Sequence, residues 1–87
     1  MSKKDLRELL ENLRQEVRAL PEQDDDARQR LDGVIAELES RLSADELTDA
    51  PGLRGSIQDS IHQLEARHPD ATTVLNNIMM TLANMGI

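Results

Sequence analysis

No phenylalanine, tyrosine, tryptophan or cysteine occurs in this chain of 87 residues. Any core must therefore be assembled from aliphatic side chains and methionine. Several functions fall away with the missing residue types. There is no aromatic platform on which bases could stack, no aromatic cage for a cation and no interfacial aromatic belt. Disulfide staples, thiolate metal sites and thiol nucleophiles are excluded as well. What remains is 38% hydrophobic and 31% charged, a balance that fits a soluble helical protein and not a disordered one. The length allows one domain, at roughly 100–200 residues per domain.

The aliphatic residues recur with helical spacing in four segments. Leu6, Leu10, Leu13, Val17 and Leu20 follow one another at intervals of 4, 3, 4 and 3, with Leu9 widening the stripe. Two heptads are too few for a free-standing coiled coil, so core packing is the expected use. Ser2 is the expected N-cap, and Pro21 ends the segment by pushing its predecessor out of helical geometry. The second helix is expected to start within Asp24-Asp25-Asp26, where carboxylates favour the positive end of a helix dipole. Its stripe is Ala27, Leu31, Val34, Ile35, Leu38 and Leu42. The short link between these helices forces an αα-hairpin. Gly33 either lets another helix approach closely or is a tolerated exposed position.

Ser43 to Gly55 reads as a polar loop, followed by a third helix carrying Leu53, Ile57, Ile61 and Leu64. Pro69 suits the first position of a fourth helix, and Gly86 supplies its stop. Ala71, Val74, Leu75, Ile78, Met79, Leu82 and Met85 form that helix's apolar arc. Thr72, Thr73, Asn76, Asn77, Thr81 and Asn84 form its other face, with Met80 at the centre. From Ala71 to Ile87 there is no charged side chain, although a solvent-facing helix normally carries them. The expected architecture is all-α: one domain of two antiparallel helical hairpins, 3–43 and 53–86, joined by the polar loop 43–55. The hairpins either pack as a four-helix bundle or stay splayed until a second subunit fills the gap.

The net charge is -7, and residues 22–49 carry all of that excess, with three basic and ten acidic side chains. An acidic surface argues against nucleic acid and anionic lipid as partners. It is compatible with a basic protein partner, though an acidic run is more often a solvated face. Lys3 and Lys4 precede no continuous apolar run, so neither a secretory signal nor a membrane span is expected, and the expected location is the cytoplasm.

Candidate chemistry is sparse. His62, Glu65 and His68 lack the i, i+4 histidine pair and the further ligands that zinc sites on helices need. Counting from Asp24, an EF-hand loop would need oxygen ligands where Arg28 and Ile35 stand. Ser56 and Ser60 have no nucleophile elbow or oxyanion loop around them. No catalytic residue, cofactor site or metal site is assigned, and the chain is expected not to be an enzyme. The expected role is a self-associating interaction or scaffold protein, most simply a homodimer. Its interface is assigned to Val74, Ile78, Met79, Met80, Leu82 and Met85, with the leucine seam of residues 6–20 as the rival surface. The alternative is an acidic inhibitor or antitoxin-like binder of a basic protein.

His68-Pro69, the leucine-containing run after it and the terminal Leu82-Ala83-Asn84-Met85-Gly86-Ile87 resemble an uncharacterised bacterial family, domain of unknown function 4404. The leucine heptads and acidic middle are also similar, so the resemblance spans most of the chain. Its specific part lies in residues 68–87. The resemblance implies a short helical fold and a bacterial cytoplasmic origin. It implies no activity and assigns no functional residue.

Overall fold

The structure is a computed structural model, and it describes residues 3–44 and 51–86. Four helices account for nearly all of them: α1 Lys3–Arg18, α2 Asp25–Ala44, α3 Pro51–Leu64 and α4 Pro69–Asn84. No strand occurs among the described residues. None of the described helices is long and apolar enough to cross a membrane. The expected Ser2 cap lies outside the described residues, as does the middle of the expected loop, residues 45–50.

That loop is shorter at both ends than the spacing of polar residues suggests. Ser43 and Ala44 complete α2, and α3 begins at Pro51, two residues before the expected Leu53. Pro51 fits a first helical turn, because a missing N–H is no loss there. Gly52 and Gly55 look like loop residues in the sequence, yet Leu53 and Ile57 are fully buried. Burial of those two side chains outweighs the roughly 1 kcal/mol that each helical glycine costs.

Each stripe becomes one wall of a single core. Leu6, Leu10 and Leu13 from α1 meet the whole α2 stripe, Leu53, Ile57, Ile61 and Leu64 from α3, and Ala71, Leu75, Ile78 and Leu82 from α4. Leu9, Val17, Leu20, Val74, Met79 and Met85 pack around its margin. α1 packs against α2 and α4, and α3 packs against α2 and α4, so the four helices close a ring. The hairpins are thus joined as a bundle and not splayed. The radius of gyration is 12.2 Å, matching the roughly 12 Å expected for a compact chain of this length.

Direction follows from one contact. His68, in the α3–α4 link, lies 2.6 Å from Asp24, just before α2. Both hairpin turns therefore sit at one end of the bundle. α2 and α4 start there and run parallel, while every neighbouring pair is antiparallel, the up-down-up-down arrangement.

Local signals set the helix ends. The Pro21 carbonyl accepts the Asp24 N–H at 3.1 Å, and Arg28 donates to the same carbonyl at 3.3 Å, pinning the first turn. The His68 N–H bonds the Leu64 carbonyl at 2.8 Å, closing α3. Past α4, Gly86 adopts φ +86° and donates to the Ala83 carbonyl at 3.0 Å. That left-handed conformation is the reason a glycine stands there.

Gly33 proves to be the tolerated exposed position. A Cβ added to it meets nothing within 4 Å. Gly33→Ala is therefore expected to stabilise the protein by up to about 1 kcal/mol. The thermal midpoint should rise by about 4–8 °C per kcal/mol in a domain of this size. An unchanged or lowered midpoint in a helical circular dichroism melt would contradict that placement.

Candidate interaction face

α4 and α1 lie side by side, and their outer edges meet in a shallow depression of about 380 Å³. Half-buried Leu9 contributes to it from α1, with Asp5, Glu8 and Asn12 beside it. α4 contributes Asn77, Met80, Thr81 and Asn84. The reason is helical geometry. Positions 77, 80 and 84 are one or two turns apart and fall on one line, as do 5, 9 and 12 on α1. Met80 is 64% exposed, a large apolar side chain left outside the core.

The polar groups around it differ in how they are used. The Thr81 hydroxyl donates to the Asn77 carbonyl one turn back, at 2.9 Å. Its hydrogen is spent inside the helix. Among the described residues, the side chains of Glu8, Asn12, Asn77 and Asn84 have no partner in the chain. One methionine therefore stands among three amides and a carboxylate, all free to bond outward.

The six residues assigned to the interface separate into three groups. Ile78 and Leu82 are fully buried in the chain's own core and present no surface. Val74, Met79 and Met85 are half-buried at its margin. Met80 alone of the six stands well out of the core. Thr72, expected on the outer face, is buried at 6% exposure. Its hydroxyl donates to the Pro69 carbonyl at 2.9 Å, so no polar group is stranded by that burial. The rival seam of α1 is likewise spent inside, with Leu6, Leu10 and Leu13 in the core.

A larger groove, about 760 Å³, runs between α2 and α3 past Gly33, Ser56 and Ser60. Its ionic groups are mostly paired within the chain. Arg30 meets Asp59 at 3.1 Å across the two helices, Glu37 meets Arg41 at 3.4 Å, and Asp24 meets His68. Ser60 is buried and donates to the Ser56 carbonyl at 3.1 Å. The three residues weighed for a metal do not come together as a site. His62 and Glu65 are exposed, and His68 is turned to Asp24. No group of three or more metal-ligating side chains occurs among the described residues.

No curated protein and no solved structure is significantly similar to the chain. The family model described as "Domain of unknown function (DUF4404)" matches residues 6–87, from the first core leucine to the last residue. The resemblance read over most of the chain, with its specific part in residues 68–87, is matched here across all four helices, and the chain belongs to the DUF4404 family.

Proposed function

We propose that this is a non-catalytic helical protein of the bacterial cytoplasm that works by contact, associating with itself as an interaction or scaffold protein. The observation that carries the reading is Met80, 64% exposed on a helix that carries no charged side chain after Asp70 in its first turn. Interface cores are depleted in charge and enriched in methionine. Small domains also gain stability by oligomerising.

The test is light scattering on the wild type and Met80→Lys at tens of micromolar. The wild type is expected above the monomer mass of 9.8 kDa, and Met80→Lys is expected to fall back toward it. Met80 is mostly exposed and not part of the buried core, so the variant should keep its helical content. Leu13→Lys, by contrast, should unfold the bundle. A monomeric wild type would defeat the reading.

A second reading has its own support. Glu22, Asp26 and Asp32 are exposed carboxylates without an ion-pair partner among the described residues. They suit the alternative of an acidic inhibitor capturing a basic protein. That capture would weaken steeply with salt, whereas association through Met80 would not.

A further inference from the structure

The α1–α4 face carries both a projection and a recess, and that pairing says how two copies would meet. Met80 projects, and Leu9 lines the same depression. Leu9 stands six residues after the start of α1 and Met80 four before the end of the antiparallel α4, so the two lie at a similar height along the bundle. A two-fold contact requires a surface complementary to itself. A knob and a hole on one face at one level meet that requirement when the axis runs along the bundle. Rotation about such an axis preserves height and exchanges sides, so α4 of each copy faces α1 of the other.

Resting on the self-association reading, we propose that a second copy of this chain docks here, each Met80 seated against the other copy's Leu9. Charge selects this arrangement over its rivals. The α1 edge of the depression carries Asp5 and Glu8, while the α4 edge carries only amides, a hydroxyl and Met80. Facing α1 with α1 would set carboxylates against carboxylates. Facing α4 with α4 would leave the Leu9 recess unfilled. Facing α1 with α4 brings the unpartnered Glu8 carboxylate toward the unpartnered amides of Asn77 and Asn84. An amide N–H2 donates well to a carboxylate, and such charge-assisted bonds are the stronger kind.

Size sets the extent of the contact. The molecule measures 35 × 20 × 17 Å, and a standard interface takes roughly 800 Å² from each partner. One broad side of the bundle provides that area only if α1 and α4 are engaged along most of their length. The contact therefore spans the full pair of helices and not Met80 alone.

The chain lacks cysteine, so single introduced thiols report the pairing directly. Disulfide trapping is run on mixtures of Met80→Cys with Leu9→Cys, on each variant alone, and on Ser40→Cys as an exposed control on α2. A disulfide needs Cα atoms within about 7 Å. The mixed Met80→Cys and Leu9→Cys pair is expected to trap several-fold more covalent dimer than either variant alone or the control. A wild type that dimerises by light scattering while Met80→Cys traps best with itself would overturn this geometry and leave self-association standing. Equal trapping of the Ser40→Cys control would overturn it too. A monomeric wild type would remove both proposals together.

Discussion

Leu38→Ala is expected to cost about 2–5 kcal/mol, the loss of buried methyl groups plus the cavity they leave. Leu38 is 0% exposed on the buried stripe of α2. Domains of ordinary stability hold only about 5–15 kcal/mol in total, and small ones lie toward the lower end. A single truncation would therefore remove a large share of the folding free energy. The loss should also be shared by both hairpins. α2 packs against α1 and α3, and both of those pack against α4, so no hairpin keeps its core when the other opens. Amide exchange in α3 and α4 should accelerate in step with exchange in α1 and α2. Wild-type protection retained at Leu75 and Ile78 alongside an unprotected α1–α2 hairpin would show two separate units. Ser40→Ala is the control. Its side chain is exposed on α2, away from the proposed contact, and the expected change is within about 0.5 kcal/mol.

The residues that make this bundle cooperative are those whose spacing is most legible. The six stripe positions of α2 and the four of α3 are all buried, because a helix folded on one core can hide only one face. Turn chemistry is less legible. Pro51, Gly52 and Gly55 have the composition of a loop, but Leu53 and Ile57 hold them in helix α3. Thr72 reads as a surface residue until its hydroxyl is seen to bond the Pro69 carbonyl. The exposure of Met80 follows from its place on the helix wheel. The depression beside it does not, since Leu9 reaches that place only because α1 closes the ring against α4. For the same reason an interface drawn from α4 alone includes Ile78 and Leu82, which the bundle consumes. Periodicity tells which face of a helix turns inward. It does not tell which other helix stands next to it.

The contact between Asp24 and His68 is also beyond sequence reach, its partners standing 44 positions apart, and its removal is the second large expected effect. Their side chains retain only 21% and 15% exposure, so the imidazole N–H and the carboxylate meet at 2.6 Å largely out of water. Hydrogen bonds to charged groups contribute about 1.5–3 kcal/mol in such settings. The loss of one partner is costly because the other is left partly buried and unpaired. His68→Ala and Asp24→Ala are each expected to destabilise the bundle by about that amount. The double variant should cost less than the two together, since the second substitution removes a group the first has already stranded. The pair of Arg30 with Asp59 gives the contrast, also linking two helices but at 37% and 62% exposure. Breaking that exposed pair should cost no more than about 1 kcal/mol. The measurement is a double-mutant cycle by urea unfolding of each pair. Additive losses at Asp24 and His68 would mean that the two hairpin turns are held together by the aliphatic core alone. A coupling larger than that of Arg30 with Asp59 would identify the Asp24–His68 contact as the clasp that fixes the direction of the second hairpin on the first.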